Sequence, residues 1–159
     1  MVDFSRLSSN WVMWSNMSQL ANASVSTDCD GAEICFKSDD ASFYLRQSAD
    51  RWILDEVDER GQLHDDAARF STLELAEKYL IWNWASLARS TIGAPSLGRD
   101  LYALGFSPEV HVHQLREGVY RLSSPTGEAV VTGVPATIFS HLMSMSVDEV
   151  ERMVKEGVA

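Results

Sequence analysis

The stretch from Ser71 to Arg89 has the longest helical apolar pattern in this sequence, and it limits the folds open to the chain. Apolar residues recur there at spacings of three and four, which places them on one face of an α-helix. They are Leu73, Ala76, Leu80, Trp84 and Leu87, with Tyr79 and Trp82 widening the stripe. A helix with so broad an apolar face must be buried on one side. We therefore expect the other elements to pack around it.

Both ends of this helix carry recognisable signals. Ser71 followed by Glu74 has the form of a capping box, in which each side chain satisfies a free backbone N–H at the start of the helix. Arg89 in the last turn suits the negative end of the helix dipole, and Gly93 with Pro95 cannot continue the helix. The sequence predicts a helix over 71–89.

The part before this helix predicts one short helix and an antiparallel meander. An amphipathic helix is expected over 6–21, with Trp11 and Trp14 as core residues, followed by a polar loop over 22–31. Three β-prone runs separated by polar turns then favour antiparallel pairing. These runs are Glu33–Lys37, Ala41–Arg46 and Arg51–Val57, and the acidic residues of the third are expected to face water.

The part after the helix predicts a second meander and two further helices. An irregular segment over 93–108 is expected to cover the core, and the turn Ser124–Gly127 predicts a hairpin between the last two strands. The expected strands are Glu109–Leu115, Gly118–Leu122 and Glu128–Thr132, and the expected helices are Pro135–Met143 and Ser146–Glu156, the latter with Ser146 as N-cap.

Together these elements predict an α+β fold with one domain over 1–159. Two β meanders would form a mainly antiparallel sheet packed against a central long helix, with short N- and C-terminal helices, since strands joined by short links pair antiparallel. At 159 residues the chain is long enough for one core of ordinary size.

Composition excludes several classes of function. A net charge of −10 disfavours nucleic acid as a partner, and leaves either simple solubility or a cationic protein partner as its meaning. Cys29 and Cys35 are expected to be reduced thiols, and His111 with His113 to be surface residues rather than metal ligands. We expect no metal and no cofactor.

No stretch predicts a membrane or an export signal. No apolar run reaches the roughly 20 residues that span a bilayer, and the first residues lack a basic region followed by an apolar one. The sequence therefore predicts a cytoplasmic chain that does not enter a membrane.

No catalytic constellation is recognisable. The sequence has no glycine-rich phosphate loop, no nucleophile with a placed histidine and no carboxylate pair in a known frame. We expect no catalytic residues and no enzyme.

The order of elements resembles the immunity factor of the tuberculosis necrotizing toxin. The resemblance covers about residues 50–156 and rests on the spacing of short stretches rather than on one motif. They are Trp52, Glu77–Leu80, Arg89 with Ser90, Ser123–Gly127 and Ser146–Val150. Within them Tyr79 and Leu80 are expected in the core, and Glu77 with Lys78 as a solvated pair.

The resemblance implies an antitoxin. Members of that family bind a secreted NAD-glycohydrolase toxin and block its active site, so we expect a one-to-one complex with a cognate toxin domain. A cytosolic chaperone of a secretion system, or a small enzyme without a recognisable motif, remains an alternative.

The stretch from Asp58 to Asp66 is the expected contact with the toxin. It is too polar for the core and is expected to be an exposed loop, where recognition commonly occurs. A cleft that receives an anionic pyrophosphate is expected to present basic or donor groups, which an acidic loop could engage as a mimic, with Gly61 allowing close approach. The expected interface residues are Asp58, Glu59, Arg60, Gly61, Gln62, His64, Asp65 and Asp66.

Overall fold

One eight-stranded antiparallel sheet, with strand order β1-β2-β3-β4-β5-β8-β7-β6, organises the computed structural model, which describes residues 2–29 and 31–158. Its strands are β1 Ser24–Ser26, β2 Ile34–Lys37, β3 Ser42–Ser48, β4 Arg51–Val57, β5 Leu63–Phe70, β6 His111–Arg116, β7 Val119–Ser124 and β8 Gly127–Thr132. The helices of the described residues are α1 Ser5–Met17, α2 Leu73–Ile92, α3 Gly98–Ala103, α4 Val134–Leu142 and α5 Val147–Lys155. The predicted α+β class is confirmed.

The two predicted meanders join into this single sheet through β5 and β8. Arg69 pairs with Val130 and Phe70 with Ala129, so the last strand of the second meander lies beside the last strand of the first. Because β5 leads directly into α2, the join also fixes where the long helix leaves the sheet.

The start of α2 corrects one prediction. Thr72 is the N-cap, and its Oγ1 accepts a hydrogen bond of 3.2 Å from the Leu75 N–H. The Ser71 Oγ instead accepts a hydrogen bond of 2.8 Å from the Glu128 N–H in β8. The predicted capping box of Ser71 and Glu74 is therefore wrong, because the join between the meanders engages the serine hydroxyl.

Gly93 stops the long helix, as the sequence predicts. This residue has φ +74° and lies in the left-handed region, which glycine enters without the strain of a Cβ. The helix therefore continues three residues beyond the predicted Arg89, as far as Ile92.

An aromatic cluster joins α1, α2 and the first meander. Trp84 of α2 lies 5.1 Å from Trp11 and 4.8 Å from Phe36 between ring centroids, and Phe43 completes the group. Trp14 is fully buried beside this cluster, as the sequence predicts. These large rings supply much of the apolar area removed from water.

Burial along α2 departs from the prediction at one position. Leu80 and Trp84 are buried as expected, but the Leu87 side chain is 44% exposed. Ile81, Ala85 and Ala88 are buried instead, since α1 and α5 both pack on this helix and the sheet lies beneath it. The buried face is therefore rotated away from Leu87.

Lys78 is buried rather than solvated, which corrects the predicted pair with Glu77. Its Nζ donates a hydrogen bond of 3.1 Å to the Met143 carbonyl at the end of α4, and its side chain is 1% exposed. Burial lowers the pKa of Lys78. Burial also raises the pKa of Glu77 to about 7.

Cys29 and Cys35 form a disulfide, so the prediction of two reduced thiols is wrong. The predicted loop 22–31 contains strand β1, and an isolated bridge between Cys29 and Ala32 turns the chain back onto β2. This turn brings the two Cα atoms to 6.5 Å, within the range that a disulfide spans. Asp30 of the predicted loop lies outside the described residues.

Both C-terminal helices are confirmed. α4 has Pro135 in its first turn. α5 has a complete capping box, in which Ser146 and Glu149 bond each other's backbone N–H groups.

Candidate functional site

The predicted exposed loop is a β-hairpin. Only Asp58–Gln62 forms the turn, because Leu63 pairs with Val57 and His64 with Glu56 as the start of β5. Residues 59–65 are nevertheless exposed, so the stretch projects into solvent as the sequence predicts. We refer to residues 58–66 as the hairpin tip.

Asp58 organises the turn from inside. Its Oδ1 accepts hydrogen bonds of 2.9 Å from the N–H groups of Arg60 and Gln62. Its Oδ2 lies 2.8 Å from the Nε2 of His64. The hydrogen bond with the His64 ring, together with those backbone donors, lowers the pKa of Asp58. Its charge therefore serves the turn rather than a partner.

Asp66 is likewise engaged within the chain. Its backbone has φ +54° at a bulge in β5, where its N–H donates a hydrogen bond of 2.7 Å to the Oδ1 of Asp55. Its carboxylate accepts hydrogen bonds of 2.8 and 3.0 Å from the Nε of Arg69. Asp66 thus fixes the base of the hairpin.

Glu59 and Asp65 are the carboxylates of the hairpin tip that remain available. Both are exposed, and neither makes an ion pair or side-chain hydrogen bond with another described residue. Gly61 has φ +77° with open space around it, so the backbone is accessible at the turn. The hairpin tip therefore presents two free charges, not the four counted in the sequence.

A groove of about 870 Å³ opens between α2 and the segment 93–107, which includes α3 and which we call the wall segment. This volume suits a ligand or an inserted side chain, since binding sites commonly span roughly 300–1,000 Å³. The principal lining residues are Glu56, Tyr79, Trp82, Leu97, Tyr102 and Ile138. The sequence predicts that the segment 93–108 covers the core. Leu101 and Phe106 do pack against the core, although no residue of α3 is fully buried and Tyr102 is 49% exposed.

Hydrogen bonds hold the wall segment in place. Arg89 of α2 donates to the Pro95 carbonyl through Nε at 3.0 Å and Nη2 at 2.7 Å. At the other end, the Ser107 N–H donates to the Ser140 Oγ at 2.9 Å, and the His141 Nε2 lies 2.6 Å from the Gly105 carbonyl oxygen. The groove is therefore bounded by fixed elements on both sides.

Arg89 also fixes the end of α5. Its Nη1 donates to the carbonyls of Val154 at 3.0 Å and Glu156 at 2.6 Å. The sequence predicts only a favourable dipole position for this residue. The fork geometry of a guanidinium lets one buried side chain bind three carbonyls of two separate segments.

Glu56 lines the groove and is half-buried. Its Oε1 is inaccessible to solvent and has no hydrogen-bond partner among the described residues. Burial raises the pKa of Glu56. Burial also raises the pKa of the partly buried Tyr79, and the charge of Glu56 adds to that rise. The expectation that the acidic residues of β4 face water is therefore wrong for Glu56.

The alternation of side chains along β4 indicates that Glu56 is buried, although its charge suggests exposure. Side chains alternate along a strand, so Glu56 shares a face with Trp52 and Leu54. Both of those residues are buried against the helices. Strand alternation thus places Glu56 on the core side of the sheet, near the end of β4 and at the edge of the area that α2 covers.

The uncovered face of the sheet carries a separate basic group. Arg51, Arg69 and Arg121 surround a shallow pocket of about 120 Å³, where Arg51 pairs with Glu128 at 3.2 Å. His111 and His113 are exposed on β6, as expected of surface residues. Across residues 2–29 and 31–158 no group of three or more His, Cys, Asp or Glu side chains has the geometry of a metal site.

None of the helices in the described part of the chain combines the length and apolar content needed to cross a bilayer.

Comparison with curated proteins gives no match. Among solved structures, the chain is similar to Rv3902c from M. tuberculosis, with a TM-score of 0.70 and 15% sequence identity over 97% of this chain and 92% of that one. At this identity the similarity shows a shared fold.

The sequence itself matches the family immunity protein 61 over residues 17–156. This match spans the sheet, the long helix, the wall segment and both C-terminal helices. It confirms the prediction of an immunity protein that the order of elements suggested. The chain belongs to the immunity protein 61 family.

Proposed function

We propose that this chain is an antitoxin that binds a cognate NAD-glycohydrolase toxin domain one-to-one in the cytoplasm and blocks its active site. Membership of an immunity protein family carries the first part of this proposal, since such proteins act by binding a toxin. The resemblance to the immunity factor of the tuberculosis necrotizing toxin supports the NAD-glycohydrolase as the toxin class.

Inhibition by occlusion requires a surface that enters or covers a cleft. The hairpin tip offers a projecting turn with an exposed backbone at Gly61 and free carboxylates at Glu59 and Asp65. A cleft that binds an anionic dinucleotide needs donors or cations, which such carboxylates can engage. We place the first contact with the toxin at the hairpin tip, over the residues Asp58, Glu59, Arg60, Gly61, Gln62, His64, Asp65 and Asp66.

Titration of the toxin tests the function directly. The purified chain is added in steps to a fixed amount of the cognate NAD-glycohydrolase domain, and the loss of NAD is followed. Inhibition should be complete at one equivalent, and the chain alone should leave NAD unchanged. Unaltered hydrolysis with excess chain would contradict the proposal, and NAD turnover by the chain itself would favour an enzyme.

A matched pair of double variants tests the hairpin tip. Glu59→Gln with Asp65→Asn removes the two free charges without disturbing the bonds of Asp58 and Asp66. We expect affinity for the toxin to fall about tenfold, about 1.4 kcal/mol, with a weaker dependence on salt. The control, Glu109→Gln with Glu117→Gln, removes two exposed charges of the second meander. Equal affinities of the two double variants would place the interface elsewhere.

A further inference from the structure

The groove contains a carboxyl group for which the fold provides no partner. Glu56 lies near the end of β4, and its Oε1 is inaccessible to solvent and accepts no hydrogen bond from a described residue. An isolated buried charge is costly, and proteins normally compensate it with a cation or with several donors. The fold leaves the Glu56 carboxyl without such a partner, and a cation that binds there would offset the free energy of burying its charge.

Cations of the chain itself do not fill this role. Arg89 lines the same groove, but its guanidinium is committed to the carbonyls of Pro95, Val154 and Glu156. His64, on the neighbouring strand, only partly offsets the rise in the pKa of Glu56 that burial causes, and its ring is bonded to Asp58. Arg99 lies in the lining of the groove on α3 and forms no ion pair with another described residue.

The lining of the groove suits a long side chain with a charged end. Trp82, Tyr79 and Tyr102 supply aromatic surface, and Leu97 with Ile138 supplies aliphatic surface. The apolar stem of an arginine or lysine can pack on such surfaces, and its cationic head is attracted to aromatic faces within about 6 Å. An anionic side chain would instead meet the Glu56 carboxyl in a poorly solvated site.

We propose that the groove is a docking site for a basic side chain of the toxin, whose cationic head pairs with the Glu56 carboxylate. This inference rests on the proposed function for the identity of the partner. Glu56 lies near the end of β4, two residues before the hairpin tip begins at Asp58. The toxin would therefore contact the hairpin tip and insert one arginine or lysine beside it.

A small probe tests the chemistry of the groove without the toxin. N-acetylarginine amide is added to the ¹⁵N-labelled chain, and the indole N–H signal of Trp82 is followed by NMR. N-acetylcitrulline amide, which has nearly the same shape but no charge, is the control ligand. We expect a saturable shift with the arginine compound, a negligible one with citrulline, and binding at least about tenfold weaker in Glu56→Gln.

Control variants separate the pairing from general charge effects. Glu117→Gln removes the same unit of charge from an exposed turn and should bind the arginine compound as the wild type does. Unchanged melting of Glu56→Gln shows that the fold persists. The proposal is overturned if the wild type gives no saturable shift, if both compounds act alike, or if Glu56→Gln binds like the wild type.

The toxin titration separates this proposal from the proposed function. Glu56→Gln should weaken the toxin complex by at least about tenfold. If the toxin binds the wild type and Glu56→Gln equally, the docking proposal fails while the antitoxin function stands. If the groove selects the arginine compound but the toxin is not inhibited, the function fails and the cation site in the groove stands.

Discussion

Trp84 and Trp82 lie two residues apart on α2, but one ring lies in the core and the other lines the groove. The Trp84 side chain is 2% exposed and packs among Trp11, Phe36 and Phe43. The Trp82 side chain lines the groove and is only partly buried. Two residues correspond to about 200° around a helix, so these rings point to nearly opposite sides. One side of the long helix is therefore core, and the other is available for binding.

The two sides differ in how completely they are filled. On the Trp84 side, rings from α1 and two strands pack against the indole, and truncation there removes contacts that nothing else replaces. On the Trp82 side, α3 stands away from α2, and Arg89 holds it there through the Pro95 carbonyl. The difference indicates that the open side is built by specific hydrogen bonds and is not a packing defect.

The largest expected effect is on the filled side. Trp84→Ala removes the ring at the centre of the aromatic cluster, so we expect a loss of about 3–5 kcal/mol in the free energy of unfolding. Urea denaturation followed by circular dichroism measures it. A loss below about 1 kcal/mol would mean that the cluster repacks, and that the two sides of the helix differ less than the structure indicates.

Arg89 tests whether hydrogen bonds maintain the open side. Arg89→Met keeps much of the stem but leaves three carbonyls without their donor, and we expect a loss of about 2–3 kcal/mol. Arg89→Lys should recover only part of it, because an ammonium lacks the planar fork. Arg99→Met, on exposed α3, is the control. Equal stability of the two methionine variants would contradict a role for Arg89 in holding the wall segment.

The general fold followed from the sequence because its signals are local. Alternating apolar runs and polar turns specified six of the eight strands, all but β1 and β5, and Gly93 marked the end of the long helix. The errors arose where distant contacts decided the outcome. The choice of Thr72 over Ser71 as N-cap depends on β8, which lies more than fifty residues further along the chain. No local pattern records that contact.

The candidate site was harder to predict for the same reason. The hairpin tip is conspicuous in the sequence, but the structure shows that Asp58 and Asp66 are bonded within the chain. Their charge alone predicts that Glu56 and Lys78 are exposed. Glu56 instead lies on the core side of β4, and Lys78 is covered at the end of α4. Charge thus indicates an exposed position only where the surrounding elements leave that position uncovered.

Glu77 adds a pH-dependent test on the side of α2 that faces α1. Burial raises its pKa to about 7, while the Arg6 charge acts in the opposite direction. The folded chain therefore favours the protonated carboxyl. The protonated Glu77 carboxyl therefore contributes to the stability of the fold. This contribution is complete below pH ~4.5, the usual pKa of glutamate, and is lost as the pH rises through about 7.

Glu77→Gln should consequently be more stable than the wild type by about 1 kcal/mol near pH 8, and equal to it near pH 4. This free energy is well below the value that the whole pKa shift would correspond to, because the Glu77 carboxyl is partly exposed and solvent screens its charge. Denaturation midpoints across this pH range measure the effect, and Glu117→Gln, at an exposed turn, is the control. Parallel pH profiles of the wild type and Glu77→Gln would contradict it.

The smallest effect on stability is expected at Trp82. Trp82→Ala removes a ring that lines the groove and is only partly buried against the core, so the free energy of unfolding should change by less than about 1 kcal/mol. Binding should respond more strongly, because the ring supplies an aromatic surface for a cationic side chain in the groove. We expect the arginine compound to bind several-fold more weakly to this variant. Because the indole is absent from it, other groove signals, such as the Asn83 side-chain amide, report the binding by NMR. A variant with lost stability and unchanged binding would reverse the roles assigned to Trp82 and Trp84.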